Sequence, residues 1–206
     1  MFIHEWDAAA DDEWRSFVAT HGFGELIAAG RNRDVPVVVP TQFVLIGNEV
    51  LVHLLRANPI WKAIAENPNV LLCVSGDWAY VPSSWKAIGE EDPARGIPTT
   101  YYASAQIVGV ARVIDDPEAI AEVLRAQLLH LQPDIPVVDP LDHRASLRAI
   151  RALRLDVTTV RSKFKYGGNV DAAHRLAVAD RLEERDGPGD RAAVAHLRRR
   201  FDMRAT

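Results

Sequence analysis

The chain has 206 residues, is 48% hydrophobic and 25% charged, and carries a formal charge of −4 at pH 7. That length suits one domain, or one domain with a modest extension, and the composition excludes a disordered, collagenous or membrane-embedded protein. The negative balance gives no overall attraction for nucleic acid or anionic lipid, and the single cysteine, Cys73, excludes an intrachain disulfide and thiolate-rich metal sites.

The opening Met1-Phe2-Ile3-His4-Glu5-Trp6-Asp7 lacks the basic-then-apolar pattern of a signal peptide. No run approaches the roughly 18 apolar residues that span a bilayer, so the chain is read as cytoplasmic, with no membrane partner. Residues 8–20 place Trp14, Phe17 and Val18 at helical spacing behind Asp11 and Asp12, which predicts a short amphipathic helix. Four short apolar segments follow: Glu25–Ala29, Val35–Val39, Phe43–Ile46 and Val50–Leu54. Gly30-Arg31-Asn32-Arg33-Asp34, Pro40 and Gly47-Asn48 punctuate them, the texture of an antiparallel meander.

Residues 58–66 predict a helix capped by Asn58, with Pro59 at its first turn and Ile60, Trp61, Ile64 and Ala65 on one face. Val70–Ser75 and Trp78–Val81 read as two strands, and Tyr101–Ile114 as one long or bent strand. Between them, Pro82 to Pro98 is a loop long enough to carry function. Asp116-Pro117-Glu118 starts a helix that continues through Leu131, Leu141–Leu153 predicts a second, and Leu155–Phe164 alternates as the last strand. Two helices close the chain, over 170–184 and after the Asp186–Asp190 turn. The fold class expected is mainly β with helices (α+β), a small antiparallel barrel. Residues 1–168 form the barrel domain and 169–206 a C-terminal helical extension.

Seven histidines stand at 4, 21, 53, 130, 143, 174 and 196, with no pair at the spacing of a metal site, and none is expected. The Rossmann glycine fingerprint, the P-loop and the Gly-x-Ser-x-Gly elbow are all absent. Three blocks remain. In His53-Leu54-Leu55-Arg56-Ala57-Asn58-Pro59-Ile60-Trp61-Lys62, a strand end delivers an imidazole and a guanidinium to a helix start, where unpaired N–H groups and Lys62 favour a phosphate. A plain capped helix with solvated cations explains the same residues. Trp78 to Lys86 and Gly96 to Tyr102 each put hydroxyls and aromatic rings at a strand end. These suit a cofactor with a phosphate at one end and a ring system at the other, and equally suit ordinary strand termini.

In order and content the blocks resemble the PaiB family of FMN-binding split-barrel proteins, often labelled negative transcriptional regulators. His53-Leu54-Leu55-Arg56-Ala57-Asn58-Pro59-Ile60-Trp61 is similar to the family's Gly-His-x-x-Arg-Ala-Asn-Pro-x-Trp, with Val52 at the glycine. Ala79 to Lys86 resembles Ala-Tyr-Ile-Ser-Pro-Ser-Trp-Tyr, and Ile97 to Tyr102 resembles Val-Pro-Thr-Trp-Asn-Tyr. The start Met1-Phe2-Ile3-His4 is similar to Met-Tyr-Ile-Pro. The likeness runs, with interruptions, from residue 1 to about residue 183. Lys86 replaces an aromatic residue, Thr100-Tyr101 replaces Trp-Asn, and Lys163-Phe164-Lys165-Tyr166-Gly167-Gly168-Asn169 stands where the family has Lys-x-Lys-Leu-Ser-Gln-Asn.

The resemblance implies a split barrel of the pyridoxamine-phosphate-oxidase kind, a homodimer with FMN between protomers. Arg56 and Lys62 are the expected phosphate cations, His53 and Asn58 their polar neighbours, and Ser83 and Ser84 hydroxyl donors. Trp85, Tyr101 and Tyr102 are expected beside the rings, with Lys163, Lys165 and Asn169 completing the site from the partner chain. Three functions stay open. The first is an FMN-dependent oxidoreductase or flavin reductase with a nicotinamide donor, for which no catalytic residue is named because the ring supplies the chemistry. The second is a ligand-sensing transcriptional regulator, and the third a cofactor-free scaffold. Direct DNA binding has only Arg198–Arg200 in its favour, with no helix-turn-helix in the sequence.

Overall fold

The structure, a computed structural model, describes the backbone of residues 1–205 and the side chains of residues 1–199. Thr206 of the expected extension, and the Arg200 side chain of the expected cationic cluster, lie outside the described residues. The elements in chain order are α1 (Asp11–His21), β1 (Phe23–Ala28), β2 (Val37–Gln42), β3 (Val44–Ile46), β4 (Glu49–Leu55), α2 (Ile60–Glu66), β5 (Asn69–Val81), β6 (Thr99–Ile114), α3 (Pro117–Leu131), α4 (Arg144–Ala149), β7 (Ile150–Lys165), α5 (Ala172–Arg185) and α6 (Asp190–Ala205). Among the described residues the strands form a seven-stranded sheet in the order β2-β1-β5-β6-β7-β4-β3. The class is α+β, as the sequence predicts.

Alternation sets the register. In β1 the buried positions are Gly24, Leu26 and Ala28, and Leu26 faces Val39 of β2 on one side and Leu72 of β5 on the other. A one-residue slip would turn Leu26 to the opposite face, so burial holds the pairing. Ile46 pairs with Glu49, leaving Gly47-Asn48 as a two-residue hairpin turn with Gly47 at φ 58°. Glycine meets that backbone requirement without a Cβ clash.

The two strands expected at Val70–Ser75 and Trp78–Val81 are corrected to one, β5. Asp77 stays inside it at φ 51°, a left-handed conformation that aspartate tolerates better than most residues. The expected helix Leu141–Leu153 is also corrected. A 3-10 turn at Pro140–His143 and α4 end at Ala149, and Ile150 already belongs to β7. Ladder pairing overrides the helical pattern there, with Ile150 opposite Leu55, Ala152 opposite His53 and Leu155 opposite Val50. At α3 the capping signal holds, whereas α5 is capped by Asp171. Asp116 Oδ2 accepts the Ala119 N–H at 2.9 Å, and Pro117 opens α3.

The chain divides into two compact units. One comprises Met1–Trp14, Ser75–Ala105 and the segment from Ser162 onward; the other comprises Arg15–Val74 and Gln106–Arg161. The first unit buries Tyr101, Phe164, Tyr166 and Leu182. Its helices α5 and α6 are joined by a tight turn in which Arg185 grips the fully buried Asp190, whose carboxylate also accepts the Gly187 N–H. The second unit buries Leu26, Val50, Val52, Ile60, Leu72, Ile107, Leu153 and Leu155. Each such side chain contributes roughly 1.5–3 kcal/mol of hydrophobic stabilisation. A cluster of Leu51, Ile120, Ala121, Val123, Leu147 and Ala152 seats α3 in the same unit.

Candidate functional site

The first unit contains a cavity of about 750 Å3 whose cationic side is built by strand alternation. Along β7, Lys163 and Lys165 share one face of the strand, while Phe164 and, just beyond the strand, Tyr166 are fully buried. Both lysines reach the cavity, together with Lys86 from the 3-10 turn Ser83–Lys86. Lys165 Nζ donates to Thr99 Oγ1 at 2.8 Å, and Lys86 Nζ to Tyr101 Oη at 3.0 Å. Lys163 Nζ donates to the Phe2 carbonyl at 3.1 Å and lies 3.7 Å from the buried Asp7 carboxylate.

The N-terminal segment supplies a second wall. Ala8 bridges to Lys163 in the β-ladder manner, and a 3-10 turn at Glu5–Asp7 carries Trp6 to the cavity. The His4 and Trp6 rings stack at 4.3 Å between centroids, only 10° from parallel. This packing needs glycine opposite it. A Cβ on Gly168 would lie 2.2 Å from the Trp6 carbonyl oxygen, and Gly167 holds φ 68°. Gly168, one of the two glycines that depart from the PaiB pattern, thus admits this chain's own N-terminal turn, while a Cβ on Gly167 would meet the Tyr101 hydroxyl.

Burial and neighbours set the electrostatics. Desolvation lowers the Lys86 pKa, and the nearby Lys165 charge lowers it further. Burial pushes the Tyr101 phenol up to about 12, against a smaller opposing effect from the Arg175 charge. At the start of α5, His174 donates to two carboxylates, from Nε2 to Glu91 Oε2 at 2.9 Å and from Nδ1 to Asp171 Oδ2 at 2.7 Å. Glu91 first, then Asp171, raise its pKa. His174 thereby ties the helix start to the 82–98 loop.

Of the expected site residues, Tyr101, Lys163, Lys165 and Asn169 come together on this cavity. Tyr102 lies on the opposite face of β6, half-buried. Ser83, Ser84 and Trp85 belong to the same unit but are engaged by α5. Arg181 donates to the Ser84 carbonyl at 2.9 Å, and the Arg185 guanidinium lies 4.8 Å from the centre of the Trp85 ring.

His53, Arg56, Asn58 and Lys62 belong to the second unit. Arg56 directs Nη1 to Asp115 at 2.6 Å, Nε to the Arg148 carbonyl at 3.1 Å and Nη2 to the Ile150 carbonyl at 3.2 Å. Asn58 Oδ1 accepts the Ile60 N–H at 3.0 Å, capping α2, while Lys62 is exposed. His53 Nδ1 meets Gln127 Oε1 at 2.6 Å.

Sequence reading missed Trp6, Asp7, Lys86 and His174 as cavity residues. Lys86 entered it only as a substitution for an aromatic residue, although it sits one position beyond the Ser83-Ser84-Trp85 block. Trp6 and His174 reach the cavity through long-range packing, which leaves no local spacing signal. Among the described residues no group of three His, Cys, Asp or Glu side chains converges to hold a metal. No helix among them is long and apolar enough to cross a membrane.

The chain is 23% identical over 187 residues to the Protease synthase and sporulation protein PAI 2 of Bacillus subtilis, covering 87% of this chain and 86% of that one. It resembles the structure of the FAD and heme binding protein from Mycobacterium smegmatis, with a TM-score of 0.63 at 20% identity, covering 84% and 80% of the two chains. It also resembles the flavocytochrome Anf3 from Azotobacter vinelandii, with a TM-score of 0.61 at 22% identity, covering 86% and 78%. The class is that of α+β split-barrel proteins. Residues 1–159 match the family described as "Putative FMN-binding domain", and the chain belongs to it. FMN or a related flavin is the cofactor that this membership assigns.

The cavity residues fit such a group. About 750 Å3 lies within the size range of cofactor pockets. Three lysines offer ammonium groups to a phosphate, and the stacked His4 and Trp6 offer a flat apolar face.

Proposed function

We propose that the protein is a PaiB-type regulator that holds FMN in the cavity of its first unit and works as a cytoplasmic homodimer. The observation that carries this reading is the convergence of Lys86, Lys163 and Lys165 on one cavity beside Trp6. Lys163 and Lys165 hold the phosphate, Asn169 supplies a further polar contact, and Trp6 and Tyr101 lie beside the ring system. The bound flavin supplies electron-transfer chemistry. The chain's own residues bind the phosphate, orient the ring and exclude water from one side of it. The likeness to PAI 2, named for protease synthesis and sporulation, supports a regulatory rather than a metabolic role.

The test is a titration of purified protein with FMN, read by the visible spectrum, with mass measurement in solution before and after. The reading expects saturable binding by a dimer, a loss of at least tenfold in affinity for Lys165→Glu, and little NADH or NADPH oxidation. A fast nicotinamide-driven turnover would instead establish an FMN-dependent oxidoreductase, and absence of flavin binding would defeat both. Lys62→Glu, made in parallel, reports whether the second unit also contributes a cation.

A further inference from the structure

The second unit holds a cavity of about 550 Å3 with a different chemistry. Its walls are apolar, from Leu124, Leu128 and Leu131 of α3, Val138, Leu147 of α4 and Ile150 of β7. Among the described residues that line it there is no Asp, Glu, Lys or Arg. An ionised ligand would lose its hydration there without a counter-charge, so the cavity suits a neutral molecule.

One polar direction is fixed inside it. Gln127, only 4% exposed, donates from Nε2 to the Leu51 carbonyl at 3.2 Å, and this turns Oε1 toward His53 Nδ1, 2.6 Å away. A carboxamide oxygen only accepts, so His53 Nδ1 carries the proton and, in the neutral ring, Nε2 is left with its lone pair. His53 lines the cavity, and its Nε2 makes no hydrogen bond with the described residues. The other polar side chains of the lining, apart from Gln127, are Gln42, His143 and Ser146, and all three are exposed. The half-buried acceptor is therefore His53.

We propose that this cavity is a second ligand site, for a neutral and largely apolar molecule of bicyclic size with one hydroxyl or N–H group that donates to His53 Nε2. The buried Gln127 is a positioning residue, fixing which ring nitrogen accepts. The site discriminates by the presence of a donor on an otherwise apolar body.

The probe is 1-naphthol, with 1-methoxynaphthalene, which has the same ring system and no donor, as its comparison. Fluorescence titration of the unaltered protein is expected to give saturable binding of one 1-naphthol per chain and affinity about tenfold weaker for the ether. His53→Phe, checked for folding by its melting curve, is expected to bring 1-naphthol down to the affinity of the ether while leaving the ether unchanged. Equal affinity for the two probes, binding that does not saturate, or a folded His53→Phe that keeps the preference for 1-naphthol would each overturn the proposal. The comparison of the two probes stands even if that variant does not fold.

Discussion

Lys86 and Tyr101 are bonded in two ways at once: Nζ lies 3.0 Å from the phenol oxygen and 4.9 Å from the centre of the same ring. The ammonium group is thus held at the cavity by a neutral hydroxyl and a π face, with no carboxylate among the described residues bonded to it to compensate its charge. A dianionic phosphate is the kind of ligand that such a cation favours.

The first prediction follows from the sign of the Lys86 shift. Its folded pKa is lowered from 10.5, so between that lowered value and 10.5 the unfolded chain holds the proton and the folded chain does not. Stability therefore rises with pH across this window, and below it the burial penalty on the ammonium is fully present. Lys86→Met is expected to raise the melting temperature at neutral pH and to weaken FMN binding about tenfold. The unaltered protein is expected to lose affinity as rising pH deprotonates Lys86, and the variant is expected to lack that decline. Melting curves and FMN titrations from pH 7 to about pH 10 check both parts.

His174 gives the second prediction. Its pKa is raised from 6.5 by Glu91 and Asp171, so its contribution is complete below 6.5 and is lost as pH rises through the raised value. Both carboxylates are shifted down from their ordinary values, 4.5 for Glu91 and 3.8 for Asp171, so their share is lost as pH falls through the lowered values. His174→Ala is expected to lower the melting temperature most between pH 4.5 and 6.5 and least in alkali. A deficit independent of pH would show that the ring acts by packing alone.

The third concerns the turn that admits Trp6. Gly168→Ala places a methyl 2.2 Å from a backbone oxygen, which forces the N-terminal segment away from the cavity. FMN affinity is expected to fall about tenfold. Gly47→Ala serves as the control: its Cβ meets nothing within 4 Å, but φ is 58°. It should cost about 1 kcal/mol in stability by urea unfolding and leave FMN affinity unchanged.

A fourth rests on His196, which is 5% exposed, stacks on Tyr166 at 4.5 Å between centroids and bonds Asp77 through Nε2 at 2.7 Å. His196→Ala removes a buried partner of the carboxylate and opens space beside the ring. A loss of roughly 1–3 kcal/mol is expected in denaturant unfolding. A smaller loss for His196→Gln would separate the hydrogen bond from the stacking.

The parts of this fold that were legible in the sequence are those with local causes. Asp116-Pro117 announced α3, Asn58-Pro59 announced α2, and Gly47-Asn48 announced the β3–β4 turn, because caps and positive φ depend on neighbours in the chain. The boundary at Ala149 was not legible, since Leu147 packs under α3 whereas Ile150 joins a ladder, and both are apolar residues in one short run. Within the site, Lys163 and Lys165 were legible only through the resemblance to the family's Lys-x-Lys stretch, because the sequence reading ended the strand at Phe164 and β7 runs on to Lys165. Trp6, Lys86 and His174 were not, since each is brought to the cavity by segments distant in sequence.

The contrast between the two linings has a practical corollary for anyone screening ligands. Added salt screens ammonium–phosphate attraction, with a Debye length falling from about 10 Å at 0.1 M to about 3 Å at 1 M, whereas sulfate strengthens the burial of apolar surface. Raising ammonium sulfate should therefore empty the lysine-lined cavity and fill the leucine-lined one, so that a single ionic-strength series sorts hits by the compartment they occupy.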